Sequence, residues 1–248
     1  MNLLYCGDSN IKDGLFLSIK SILKVEKEAL NIYVLSMDYL NYKKIDSDFI
    51  DYLDSLVKEV NKKSFVKLID MTSIYQKHEC KANKDTLFTP YCMLRLYSDL
   101  VDLPSKILYL DTDVLVYRSF KDFYDINNTN YELVGVLDYY GSHVYKKNPF
   151  KKDYLNSGVL LFNLDLLKKE DILKKARKMC ATKKMLLPDQ SALNILCKHK
   201  LIVDRKYNEQ KAMQSDTVLR HFTTTFKFFP RIKTQKVKPW QINRMHDV

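Results

Sequence analysis

Glycine is scarce, with five residues in 248, at Gly7, Gly14, Gly135, Gly141 and Gly158. No two of them form a G-x-G-x-x-G or G-x-x-x-x-G-K arrangement, so a dinucleotide fingerprint and a P-loop are both absent. Cysteine is equally sparse. Cys6, Cys80, Cys92, Cys180 and Cys197 are odd in number, far apart and without a C-x-x-C pair, which argues against a disulfide framework and for a reduced, cytoplasmic setting. His78, Cys80 and Cys92 lack the fourth ligand and paired spacing of a structural zinc site and read as packing residues. No apolar run reaches transmembrane length. The opening Met1-Asn2-Leu3-Leu4-Tyr5-Cys6-Gly7-Asp8 turns polar too soon for a signal peptide, so no secretory leader is expected. Acidic residues are outnumbered: 30 Asp and Glu against 41 Lys and Arg leave a formal charge of +11. That excess suits phosphorylated ligands, anionic membrane surfaces or nucleic acid without choosing among them. What the chain does have is apolar side chains, 46% of residues, enough for one well-packed domain.

Short apolar runs alternate with amphipathic ones. Asn2 to Cys6, Ile32 to Ser36 and Phe65 to Ile69 read as strands; Leu15 to Leu23 and Phe49 to Val60 have helical spacing between them. This order predicts an α/β fold with a mostly parallel central sheet, flanking helices and right-handed crossovers. Thr89-Pro90 is a helix start, with Thr as cap and Met93, Leu94, Tyr97, Leu100 and Val101 as the apolar stripe. Lys106 to Leu110 is a nearly continuous apolar run, a strand buried on both faces that delivers Asp111-Thr112-Asp113 to its carboxyl end, where open α/β sheets bind ligands. Leu133 to Leu137 and Gly158 to Leu164 continue the sheet, and Leu166 to Met179 and Gln190 to Cys197 have helical spacing. From Thr217 to His246 the chain is basic and aromatic, with Phe222, Phe226, Phe228, Phe229 and Trp240, and reads as a C-terminal extension over a single domain.

Two carboxylates one residue apart, just past a buried strand, converge on one divalent cation if the chain turns there. Their hard oxygens suit Mg²⁺ or Mn²⁺ and leave coordination positions for phosphate oxygens. A phosphatase of the haloacid-dehalogenase kind fits badly, because its pair follows the first strand and its motif has Thr or Val where Leu115 stands. A metal-dependent nucleotide-sugar transferase, with an α/β half before the D-x-D, fits the order of elements.

At this point the chain resembles glycosyltransferase family 8, which includes glycogenin and bacterial lipooligosaccharide galactosyltransferases. The matching blocks run in order: Asp8 and Asn10 after the first strand; Arg95 within Tyr91 to Leu96; Ile107 to Val116 around the D-x-D; Leu155 to Leu164; Pro188-Asp189-Gln190; and His221-Phe222 followed by Lys238-Pro239-Trp240. The resemblance implies a single GT-A domain, with 1–115 as nucleotide-binding half, 116–215 as acceptor half and 216–248 as C-terminal lid, and retaining transfer of a hexose from UDP-glucose or UDP-galactose to a saccharide or glycolipid acceptor, such as a lipopolysaccharide or other cell-surface polysaccharide. It implies Mn²⁺, or Mg²⁺, on Asp111, Asp113 and His221. It further implies uracil and ribose contacts from Asp8 and Asn10, donor contacts from Thr112 within the D-x-D and from Arg95, Asp138, Asn156, Asp189 and Gln190, and a diphosphate contact from Lys238. Gln190 matches the position facing the anomeric carbon and is a poor nucleophile, so a front-face mechanism is expected, with Asp189 as the other candidate.

The lid departs from the family pattern. His221 and Lys238 are 17 residues apart, with no glycine between, where many relatives have six, so an insertion of about eleven residues sits inside the lid, around the stretch Thr223 to Arg231. Ile11 falls where some relatives stack an aromatic on uracil. The alternative reading is a binding module of the same fold with impaired catalysis. Peripheral contact with the inner face of a membrane through the basic C-terminal segment is also expected, and nucleic acid is not an expected partner. Each residue has a plainer role open to it: Arg95 pairing with Asp99, Asn156 capping a turn before Gly158, Asp189 capping the helix after Pro188, His221 as a surface histidine.

Overall fold

The computed structural model describes residues 1–84, 90–139, 153–223, the short strands at 225–227 and 233–235, and Lys238. The expected cap Thr89 and the side chains of Phe226, Phe228, Phe229 and Trp240 lie outside the described residues, as does most of the segment assigned to membrane contact. No helix among the described residues is long and apolar enough to cross a membrane.

Seven strands form the central sheet. They are β1 (Asn2–Cys6), β2 (Asn31–Ser36), β3 (Phe65–Asp70), β4 (Lys106–Leu110), β6 (Leu133–Leu137), β7 (Leu155–Asn163) and β8 (Lys200–Ile202), in the spatial order β3-β2-β1-β4-β7-β6-β8. All run parallel except β7, which is antiparallel to both of its neighbours. The mostly parallel sheet predicted from the alternation of runs is therefore present, with one reversal that no run in the sequence announces. That reversal matters for the site. Because β7 runs backwards, its first residues, rather than its last, lie beside the carboxyl end of β4, and the Asp111 amide bonds the Gly158 carbonyl at 2.8 Å.

The sheet is buried on both faces by two hydrophobic clusters. One contains Tyr91, Leu94, Tyr97, Tyr109, Phe162 and Leu173; the other contains Leu3, Tyr5, Leu15, Ile19, Leu108 and Leu161. Alternate residues of β1 and β4 fall into opposite clusters, as the pleat of a two-sided strand requires, which is why Lys106 to Leu110 reads as almost uninterrupted apolar sequence.

Local chemistry sets most helix bounds. Ser47–Val60 starts where the Asp46 carboxylate accepts the Phe49 amide at 3.0 Å. The predicted helix from Leu166 to Met179 is two helices, Leu164–Lys169 and Ile172–Thr182, because Asp171 between them takes a left-handed backbone with φ 54. Asn163 ends β7 and caps the first of them through Leu166. Pro90–Leu100 is wound as a tight 3₁₀-type helix, and it is enclosed on nearly every side instead of along one stripe: Arg95 and Ser98 are buried, while Leu100 is 38% exposed.

The start of the segment read as a lid is built into the body. Strand β9 (Leu219–His221) pairs antiparallel with β5 (Val114–Val116), placing His221 opposite Val114.

Candidate metal and donor site

The site lies where the strand order reverses. The chain leaves β1 toward β2 and β3 and returns on the other side as β4, so the carboxyl ends of β1 and β4 flank a switch point of the kind that holds ligands in open α/β sheets. Asp8 and Asn10 follow β1; Asp111, Thr112 and Asp113 follow β4.

After β4 the chain turns, with the Val114 amide on the Asp111 carbonyl at 3.1 Å, and Thr112 sits half-buried in the bend. The turn brings both carboxylates to one side. Pairing of β5 with β9, closed by the Phe222 amide on the Asp113 carbonyl at 2.9 Å, then carries His221 across more than one hundred residues of sequence to the same place. His221 Nε2 lies 3.2 Å from Asp113 Oδ1 and 3.5 Å from Asp111 Oδ2. One ligand atom from each of the three falls within 4.8 Å of the others, the one such group of His, Cys, Asp and Glu among the described residues. His78, Cys80 and Cys92 form no such group. His221 is 4% exposed, so the plainer reading of a surface histidine is wrong.

Two features fit a divalent cation at this place. The donor set is two carboxylate oxygens and one imidazole nitrogen, which Mn²⁺ and Mg²⁺ accept with room left for phosphate oxygens. Gly158 also makes a seat for the imidazole: a Cβ built there would lie 2.0 Å from His221 Cε1 and 2.7 Å from both ring nitrogens. A glycine inside an apolar strand marks such a close approach. Gly158→Ala should therefore swing the ring away from the carboxylates and weaken Mn²⁺ binding at least about tenfold, a loss of ligand orientation. Electron spin resonance of free Mn²⁺ measures this, and wild-type affinity in Gly158→Ala would show that the seat is not needed.

The two carboxylates are held differently. Asp111 Oδ1 takes hydrogen bonds from Arg95 Nη2 at 2.9 Å and the Tyr109 hydroxyl at 2.6 Å, so only Oδ2 faces His221. Asp113 is 9% exposed. Burial alone would raise its carboxyl, but His221 and then Lys238 beside it hold it well below the usual carboxylate range. The Lys238 ammonium donates to Asp113 Oδ2 and lies 3.4 Å from the Phe222 carbonyl.

Arg95 is the hub on the other side. Its guanidinium stacks on Tyr109, 3.9 Å from the ring centre, and donates to the Ser157 and Cys92 carbonyls as well as to Asp111. It does not pair with Asp99, which belongs to Arg177. Its second anion is Asp189, whose Oδ2 lies 3.3 Å from Arg95 Nε. Burial pushes the Asp189 carboxyl up against the pull of Arg95, and Oδ2 is fully buried without a hydrogen-bond donor. The expected capping role of Asp189 is corrected: Leu187 precedes the helix Pro188–Leu196, and Asp189 lies inside its first turn.

Gln190 and Asn156 meet at Asp138. Asp138 Oδ2 accepts from Asn156 Nδ2 at 2.8 Å and Gln190 Nε2 at 3.2 Å, while the Gln190 carbonyl takes the Ser157 amide at 2.9 Å. Asn156 does bond the Gly158 amide, at 3.0 Å, as the turn-capping reading has it, yet it also reaches His221. Asp8 and Asn10 sit apart from this network, with the Asp8 carboxylate taking both the Asn10 backbone amide, at 3.1 Å, and side-chain amide, at 2.9 Å.

Against known proteins, the model of glycosyl transferase family 8 matches residues 2–242. The chain belongs to this family. It is 25% identical over 254 residues to a lipopolysaccharide 1,3-galactosyltransferase of Salmonella typhimurium, covering 96% of this chain and 72% of that protein. It is 28% identical to a glycosyltransferase of Haemophilus influenzae over 84% of this chain, and the match spans 63% of that relative's length. A galactosyltransferase, LgtC, solved with donor and acceptor sugar analogues, superposes with a TM-score of 0.70 at 18% identity, over 89% of this chain and 86% of that one. The fold of this family 8 chain is the GT-A type.

Asn208 was not among the residues the sequence singled out. It is 1% exposed and touches both Asn156 and His221. It lies in an irregular polar stretch, where no periodicity marks a buried position.

Proposed function

We propose that the chain transfers glucose or galactose from a UDP-sugar to a saccharide or glycolipid acceptor with retention of configuration, using Mn²⁺ or Mg²⁺ on Asp111, Asp113 and His221. The observation that carries this reading is the convergence of those three side chains at the switch point of the sheet. A cation held there would stabilise the charge that builds on a departing diphosphate.

The chain's own residues divide the remaining tasks. Arg95 fixes Asp111 so that one oxygen is spent on structure and the other faces the ligand position. Lys238, already at Asp113, adds a compact positive charge for a phosphate. Asp189 balances the charge of Arg95 and, with Gln190, is assigned to the donor sugar. Neither candidate nucleophile is unencumbered: Asp189 is paired with Arg95, and the Gln190 carbonyl is taken by Ser157. This supports the front-face course, in which the acceptor attacks from the side the diphosphate leaves.

UDP release from a panel of UDP-sugars, with Mn²⁺ or with EDTA, tests the reading. Release from one hexose donor that EDTA stops is the expected result; release unaffected by EDTA would remove the metal from the proposal. One observation speaks for the binding module instead, the Lys238 ammonium resting on a carboxylate assigned to the metal. That reading requires UDP binding by calorimetry with no release from any donor when acceptors are present.

A further inference from the structure

We propose that Asn208 is a positioning residue for His221, and that the polarity of a four-residue chain beginning at Asp138 decides which ring nitrogen faces the metal. The inference rests on the metal assignment made above.

Each orientation follows from the one before. The Asp138 carboxylate only accepts hydrogen bonds, so the Asn156 atom 2.8 Å away must be its amide nitrogen. The Asn156 oxygen then points the other way, where it takes the Gly158 backbone amide at 3.0 Å; a flipped amide would set two donors face to face. That same oxygen lies 2.9 Å from the Asn208 side chain, which must therefore present its nitrogen. The Asn208 oxygen is left at 3.2 Å from His221 Nδ1, and the Asn156 oxygen is 3.1 Å from the same nitrogen. Two acceptors on Nδ1 require that Nδ1 carry the hydrogen.

The consequence falls on the opposite side of the ring. With Nδ1 committed as a donor, Nε2 is the nitrogen whose lone pair is available toward Asp111 and Asp113. Metal-binding histidines depend on such an outer partner for tautomer and ring direction, and losing it costs roughly 10- to 100-fold in affinity. Asn208 is suited to the task because it is rigidly placed. Its backbone amide bonds the Arg205 carbonyl at 2.9 Å, and the flanking Glu209 takes part in a bridge to the β9 residue Arg220. Gly158 supplies the space for the ring and Asn208 its angle.

The test uses the full chain and Mn²⁺ alone, then Mn²⁺ with saturating UDP, following free Mn²⁺ by electron spin resonance. Asn208→Leu keeps the volume and removes both hydrogen bonds; Asn208→Asp keeps the acceptor for Nδ1 and loses the donor to Asn156. The expected result is affinity lowered roughly 10- to 100-fold in Asn208→Leu and recovered at least tenfold in Asn208→Asp relative to it. A structural role alone would not order the variants this way, since Asp places a second anion in the network and should melt no higher than Leu. Wild-type affinity in Asn208→Leu, or no recovery in Asn208→Asp, overturns the proposal while leaving the metal site standing. No Mn²⁺ binding by the wild type, with or without UDP, overturns both.

Discussion

Changing Asp111 and Asp113 together to Asn is expected to lower metal-dependent UDP release by about a thousandfold. A cation that steadies a departing diphosphate is worth several kcal/mol of barrier, and about 4 kcal/mol corresponds to a factor of roughly 10³ in rate. Asn keeps the size and polarity of each side chain and removes the charge, so the loss reports on ligation more than on packing. The two positions should not weigh equally. Both Asp113 oxygens are engaged at the site, one facing the His221 ring and the other the Lys238 ammonium, so Asp113→Asn alone should account for most of the effect on Mn²⁺ affinity. Asp111 spends one oxygen on Arg95 and Tyr109, so Asp111→Asn should lower the melting temperature as well. The measurement is UDP release from the preferred donor at saturating Mn²⁺. A double variant within tenfold of wild type would mean that the carboxylates do not hold the ion on which the rate depends.

Removing Arg95 is expected to produce the largest loss of stability. Its side chain is 3% exposed and lies between Asp111 and Asp189, the latter only 7% exposed. Deleting one partner of a buried ionic group leaves an uncompensated charge and typically costs about 3–5 kcal/mol. In a domain of this size that corresponds to a fall of roughly 10 °C in melting temperature. Arg95→Met, which keeps an apolar stem over Tyr109, isolates the charge from the packing. Arg95→Lys should recover little, because one ammonium cannot reach Asp111, Asp189 and the Ser157 and Cys92 carbonyls together. Thermal unfolding decides the matter. A melting temperature within 2 °C of wild type in Arg95→Met, with 2 °C being about 1 kcal/mol or less here, would show that solvent reaches the two carboxylates.

Gly158 shows how sequence and structure divide the information. Gly158 lies within a buried strand, where a missing Cβ lets another group approach the backbone closely. Nothing local says that the approaching group is His221, 63 positions later. That was settled by the antiparallel pairing of β5 with β9, a non-local choice of register. Asn208 shows the same limit more sharply, because a polar residue in a loop reads as solvent-exposed until the loop is placed against the first residues of β7.

The sequence alone determined the mostly parallel sheet, its two-sided central strand and the position of Asp111 and Asp113 at the end of that strand, because these follow from hydrophobic period and from chain direction. The ordered blocks of residues also identified the family. Only the tertiary structure decided that β7 runs backwards, that Arg95 serves Asp111 and Asp189 and not Asp99, and that Asp138, Asn156 and Asn208 form one chain of hydrogen bonds ending on His221. The physical reason is that burial and hydrophobic spacing are written in neighbouring residues. Hydrogen-bond polarity and charge pairing are fixed by whichever distant groups the packed core brings within 3 Å or so, the ordinary reach of a hydrogen bond.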